Sequence, residues 1–429
     1  MRLTLAYGKQ GLEIELPDHL DATVLHPDSA AALSNERVSL QQALRQPWGT
    51  LPLRDLVHPD DRVVVVFSDL TRPMPNNRVL PVLLEELDHV PHKQVTLLNA
   101  LGTHRPQTEE ELAVMLGSEI ARSYPILQHD ARDDDQLVYV GKTRFGNSVR
   151  LNRAYVEADV RILTGFIEPH FFAGFSGGPK AILPGIAGID AIWANHAVHL
   201  IAHPQSTWGK TTGNPIYEEI CEAATLAEPH FCLNVALNRE RAITDAFAGR
   251  WRQVHQAGCQ VVDRRATAWV EEAFDIAITT NSGYPLDLNL YQTVKGMSAA
   301  ARIVRPGGAI IAASECADGI PEHGEYKDLL WSTNSPSEFL DKIQQPGFFR
   351  QDQWEAQIQA QILQQAQVYL YSDAFSDEEI RRAWLEPCRD ITVTLESLLN
   401  VYGPQARICV LPEGPQTIPT LKIVGGHNE

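Results

Sequence analysis

Short runs of β-branched and apolar residues, each breaking into a polar loop and then a helical segment, recur along the chain. Arg62 to Phe67 (RVVVVF) runs into SDLTRPMPNN, Gln94 to Leu98 (QVTLL) into NALGTHRPQ, and Val160 to Leu163 (VRIL) into TGFIEPH. Short β-branched runs of this length read as strands of a sheet covered on both faces. After the second run, TEEELAVMLG has the layout of an amphipathic helix, with Thr108 as N-cap before an acidic first turn. Strands alternating with helices predict an α/β fold built on parallel or mixed sheets. Ligands in such folds bind beyond the carboxyl ends of the strands, so the three polar loops are expected to share one crevice.

The series then restarts. Phe231 to Ala236 (FCLNVA) followed by NRERAITDAFAG reads as a hairpin, and a helical stretch from Gly249 to about Val270 reads as a connector. Beyond it, Asp275–Thr279, Ala309–Ala313, Val368–Tyr371, Ile391–Leu395 and Ile408–Leu411 read as further strands. The expected organisation is therefore two α/β domains, 1–270 and 271–429. Within the second lies a glutamine-rich segment, PGFFRQDQWEAQIQAQILQQAQ, whose Trp354, Ile358, Ile362 and Ala366 recur every four residues and predict a surface helix.

Composition narrows the function. At 429 residues the chain exceeds the roughly 250–300 at which one core stops growing, in keeping with two domains. The absence of a long apolar run or a signal-peptide layout points to a cytoplasmic protein with no membrane role. Six scattered cysteines without a C-x-x-C pair argue against a disulfide framework or a cysteine-based metal centre. A formal net charge of −18 with no basic patch argues against nucleic acid. An anionic substrate would need its own local cations.

Three constellations carry candidate chemistry. In GFSGGPKAILPG, Pro179 before Lys180 offers no amide proton and Ala181 after it no hydroxyl, which removes a P-loop reading. What remains is a glycine turn that lets backbone approach a bulky ligand, with Lys180 beside it as a possible covalent anchor or as a solvated lysine. His104 and His170 stand where strands end, and His196 falls on a helix starting after Gly188. His196, His199 and His203 also make a one-face stripe that invites a zinc reading, although no carboxylate and no H-E-x-x-H accompany it. Cationic and polar groups form the third set: Asp69, Thr71 and Arg72 in SDLTRP, and Tyr291, Gln292 and Lys295 in NLYQTVKG, the last two sharing a helical face. Phe171, Phe172 and Trp193 are either pocket lining or core.

The succession SDLTRP, LGTHRP, GFIEPHFFAGFSGGPKAILPG, a helix carrying NH, NSGYPLDLNLYQTVKG and GGAIIAASECADGI resembles the nickel-dependent lactate racemase family and its 2-hydroxyacid racemase and epimerase relatives. The resemblance spans nearly the whole chain, with ten residues from His170 to Lys180 and sixteen more to His196. It implies two α/β domains with the active site in the cleft between them. It also implies a nickel pincer nucleotide (pyridinium-3-thioamide-5-thiocarboxylic acid mononucleotide nickel), made by cofactor-biosynthesis proteins, tethered at Lys180 through a thioamide and ligated at nickel by His196. On the same resemblance His104 and His170 are the acid/base pair, and Arg72, Gln292 and Lys295 hold the substrate carboxylate with Tyr291 nearby. Asp69, Thr71, Gly177 and Gly178 are candidate cofactor contacts. The implied reaction inverts C2 of a 2-hydroxy acid through a planar 2-keto acid by proton-coupled hydride transfer. Competing classes are a nucleotide- or cofactor-binding protein without turnover, which would not need paired bases, and a zinc hydrolase.

Overall fold

The computed structural model describes residues 1–17, 20, 22–322 and 324–422. Within these the chain forms two compact units, one comprising Ser29–Glu168 and Phe172–Arg265, the other Met1–Asp28, Pro169–Phe171 and the chain from Ala266 onward. A single cut near residue 270 therefore does not describe the chain fully. Ala22–Val24 pairs in parallel with Ile408–Leu411, so the first residues belong with the last. A three-residue strand leaves too little periodicity to be read from sequence.

The 29–265 unit is built on a six-stranded sheet in the order Ile243–Gly249, Phe231–Leu237, Val160–Phe166, Val63–Ser68, Val95–Ala100, Ile126–Gln128. All neighbours are parallel except the hairpin at the first edge. Val63 to Phe67 are all at most 1% exposed, which is why this strand reads as an unbroken apolar run. Val66 lies opposite both Leu98 and Leu163, so three strands advance in step and release their chains at the same edge. The helix Glu109–Leu116 begins with the expected cap: Thr108 accepts from the Glu111 amide while Glu111 reaches back to the Thr108 amide.

The second unit holds six parallel strands in the order Glu386–Cys388, Ala366–Tyr371, Val304–Ala313, Phe274–Thr280, Ile408–Leu411, Ala22–Val24. Its core gathers Ile276, Ile278, Ala309, Ile311, Leu395 and Val410. Both sheets thus match the α/β expectation. Among the described residues no helix is long and apolar enough to cross a membrane.

Two elements differ from expectation. Ile391–Leu395 is not a strand but the start of the helix Ile391–Tyr402, capped by Asp390, whose carboxylate accepts from the Val393 amide at 3.0 Å. Ile391, Leu395 and Leu398 are its buried residues, a helical spacing that five residues are too few to reveal. The glutamine-rich segment does form a helix, Gln353–Gln365, but it is not on the surface: Gln353, Glu355, Gln357 and Gln359 are all buried. Two of its amides donate to backbone, Gln359 to the Ala383 carbonyl at 2.7 Å and Gln365 to those of Ala301 and Val304. Satisfied amides can be buried at little cost, so composition misreads this helix.

Asp390→Ala is expected to lower stability by about 1 kcal/mol, the usual worth of a helix N-cap. A shift of the urea midpoint measures it, and an unchanged midpoint would mean that the cap contributes nothing.

Candidate active site

The loops leaving the strands Val63–Ser68 and Val95–Ala100 meet through a hydrogen bond from a half-buried histidine to a buried carboxylate. His104 Nδ1 lies 2.5 Å from Asp69 Oδ2, and Asp69 is 3% exposed. Thr71 Oγ donates to both Asp69 oxygens at 3.0 and 3.2 Å, and Arg72 Nη1 donates to Thr71 Oγ at 3.1 Å. Burial alone would raise the Asp69 pKa, but His104, Arg72 and Thr71 together hold it below the ordinary carboxylate range. An ionised carboxylate only accepts hydrogen bonds, so His104 carries a proton on Nδ1, which leaves Nε2 as the nitrogen able to exchange one. Asp69 and Thr71, expected as cofactor contacts, hydrogen-bond to each other, and Asp69 meets His104 directly.

The strand Val160–Phe166 leads into the Lys180 segment. Gly177 (φ 79°) and Gly178 (φ 50°) adopt left-handed backbone before the turn Gly178–Ala181. A Cβ at Gly178 would lie 2.5 Å from the His255 ring, and one at Gly177 would lie 2.6 Å from Asn234 Oδ1. The Gly178 amide donates to that same oxygen at 2.8 Å, and His255 Nε2 donates to the Ser176 carbonyl at 2.9 Å. The glycines are therefore required by protein packing around the loop, whatever ligand it meets.

Lys180, Phe172 and His196 come together. The Lys180 ammonium lies 5.4 Å from the centre of the Phe172 ring, and Phe172 meets the His196 ring edge-on at 5.1 Å. His196 is the C-terminal cap of the helix Ile189–Asn195, with its Nδ1 donating to the Ile192 carbonyl at 3.0 Å. Burial, with the Lys180 charge adding to it, pushes its pKa down to about 3. A neutral imidazole with Nδ1–H held in this way presents Nε2 as a donor atom for a metal. His199 lies in the next short helix, Val198–Ile201, so the three-histidine stripe does not run along one helix. Among the described residues no group of three or more His, Cys, Asp or Glu side chains is placed to hold a metal ion. Trp193 packs near Arg132 at 5.9 Å, while Phe171 and Phe172 are buried.

In the second unit His170 is buried and its ring lies against Phe171, with centroids 4.9 Å apart. Asn289 caps the helix Leu290–Ala301 and accepts from the Gln292 amide. Lys295, 8% exposed, donates to Gln292 Oε1 at 2.5 Å, so the two residues expected to share a face do so. The Tyr291 hydroxyl accepts from the Trp354 indole at 2.9 Å. Asn234, His255 and Glu168 escape sequence reasoning. Glu168 stands at the end of a buried strand, a position where a carboxylate is itself a signal; the other two become visible only once the loop is folded.

The chain thus combines two α/β sheets with a histidine hydrogen-bonded to a buried carboxylate near an arginine, and a buried histidine near a lysine, an arrangement of the enzyme type. Family profiles match accordingly: the Lactate racemase N-terminal domain over residues 7–209 and the Lactate racemase C-terminal domain over 270–418. The lactate racemase of Thermoanaerobacterium thermosaccharolyticum is 37% identical over 421 residues, covering 97% of this chain and 98% of that one. That of Lactiplantibacillus plantarum is 36% identical, covering 96% and 98%. The solved lactate racemase apoprotein from T. thermosaccharolyticum superposes with a TM-score of 0.90 at 36% identity, covering 98% of this chain and 100% of that one. A crystal structure of a Thermotoga maritima protein shares the fold at a TM-score of 0.70 and 18% identity, covering 93% and 100%. The chain belongs to the lactate racemase family and is an isomerase of the racemase class.

Burial pushes His255 and His129 each down to about 4. The unfolded chain protonates these groups near pH 6.5, the native one only near 4. Between those values unfolding takes up protons, so stability falls on acidification from about pH 6.5 to 4. Urea midpoints across that range should show the slope, and His255→Gln should reduce it; an unchanged slope would contradict the assignment. Asp69→Asn, which removes the carboxylate charge and puts an amide donor in place of one oxygen, is expected to lower turnover by about two to four orders of magnitude at pH 7 with the fold retained by circular dichroism.

Proposed function

We propose that this racemase inverts C2 of a 2-hydroxy acid, with lactate, the substrate in its relatives' names, as the first candidate. The observation that carries the reading is the Asp69–His104 pair with Arg72 in the same loop system: one base of defined tautomer beside one cation for a carboxylate.

The residues present fit a nickel pincer nucleotide, since His196 is neutral with Nδ1–H held by Ile192 and Lys180 adjoins it across Phe172. Lys180 would tether the cofactor as a thioamide and His196 would give nickel its protein ligand; the protein would receive the group from cofactor-biosynthesis proteins. When bound, the group supplies an acceptor for the C2 hydrogen together with its electron pair. This route suits the substrate, because C2–H beside an ionised carboxylate is a poor acid.

His104 Nε2 removes the hydroxyl proton of one enantiomer and returns it on reversal, with Asp69 stabilising the imidazolium that forms. His170 does the same for the opposite enantiomer. Arg72, Gln292 and Lys295 bind the carboxylate, so the planar 2-keto acid is retained while either face is presented. Arg72 and Lys295 supply the local positive charge that an acidic chain needs.

Cofactor-loaded protein incubated with single-enantiomer 2-hydroxy acids is expected to invert lactate, read by polarimetry or chiral chromatography. His104→Ala and His170→Ala are each expected to reduce inversion at least about a hundredfold. Full activity in both variants would overturn the assignment. Metal analysis of the active protein is expected to find nickel; zinc alone would refute the cofactor reading.

A further inference from the structure

Glu168 is a carboxylate only 7% exposed, two residues beyond the strand Val160–Phe166, and the chemistry above does not use it. Its Oε1 lies 4.0 Å from Arg72 Nε. Ser176 holds it as well, the amide donating to the Glu168 backbone carbonyl at 2.8 Å and the hydroxyl to the same Oε1 at 3.4 Å. Ser176 is itself fixed, since its carbonyl accepts from His255 Nε2 and His255 Nδ1 meets the Tyr217 hydroxyl at 3.0 Å. On the far side Arg72 continues through Thr71 to Asp69 and His104. One polar chain therefore runs from the loop preceding Lys180 to the base.

We propose that Glu168 is a positioning residue for Arg72. An arginine carries several rotatable bonds, and ordering it at the moment of binding would cost affinity; a buried carboxylate anchored by Ser176 orders it beforehand. Glu168 thereby ties the substrate-anchoring arginine to the loop that bears Lys180. The inference rests on Arg72 binding the substrate carboxylate. Had Glu168 merely competed with that carboxylate, its neutralisation would tighten binding, so the two roles differ in sign.

The test measures KM and kcat for lactate on cofactor-loaded wild type, Glu168→Gln, Ser176→Ala, Arg72→Lys and the Glu168→Gln/Arg72→Lys double variant. Glu168→Gln is expected to raise KM about tenfold with kcat within about threefold, the pattern of lost uniform binding. Ser176→Ala should shift KM the same way by less. In the Arg72→Lys background Glu168→Gln should add less than about a twofold further change, because the two residues act as one unit. A KM that is unchanged or lower in Glu168→Gln, or effects that multiply fully, would overturn the proposal. Should Glu168→Gln fail to fold, Ser176→Ala decides, and an unchanged KM there has the same force. If Arg72→Lys raises KM while Glu168→Gln does not, Arg72 keeps its role and Glu168 loses its own; if Arg72→Lys leaves KM unchanged, both assignments fall.

Discussion

The parallel register of three buried strands is the constraint on which the site depends. Val66 stands opposite Leu98 on one side and Leu163 on the other. Their carboxyl ends therefore release SDLTRP, LGTHRP and GFIEPH at the same edge of the sheet. Strands covered on both faces are mostly apolar along their length, so chemistry gathers at their ends. A slip of one residue in any of them would turn its apolar set over and carry its loop away from the others.

That edge accommodates a buried carboxylate, which would be costly alone. Asp69 is compensated by His104, Thr71 and Arg72, and the same contacts that keep it ionised orient the imidazole. Removing one partner of such a group usually costs more than the pair ever contributed, because the remaining charge stays buried. The arrangement is therefore better understood as a device for orientation than as a source of stability. His196 follows a similar logic without a charge: burial keeps it neutral and a backbone carbonyl sets its tautomer.

Much of this was legible before folding because the signals are local. RVVVVF, QVTLL and VRIL announce buried strands, Thr108 with Glu111 announces a helix start, and Pro179 with Ala181 rules out a phosphate loop. Where only distant partners settle the outcome, the pattern misleads. The glutamines of Gln353–Gln365 look solvated until Ala383, Ala301 and Val304 present their carbonyls. Ile391–Leu395 has strand-like β-branching, but Asp390 and the burial of Leu398 make it helical. At Gly177 and Gly178 the need for glycine is set in addition by His255 and Asn234, some 56 to 78 residues later in sequence order, against which a Cβ would press. Glu168 was visible as a letter, but its meaning came from Arg72 and Ser176, which folding brings to it.

On the proposed mechanism the C2 hydrogen leaves and returns with its electron pair while histidines move only the hydroxyl proton. The most direct measurement starts from one enantiomer of lactate deuterated at C2, lets the cofactor-loaded enzyme invert it in ordinary water, and reads the isotope in the product by mass spectrometry. The account predicts that the inverted enantiomer keeps its deuterium. Loss of deuterium to solvent in step with inversion would instead mean that a base removes the C2 proton, and would contradict it.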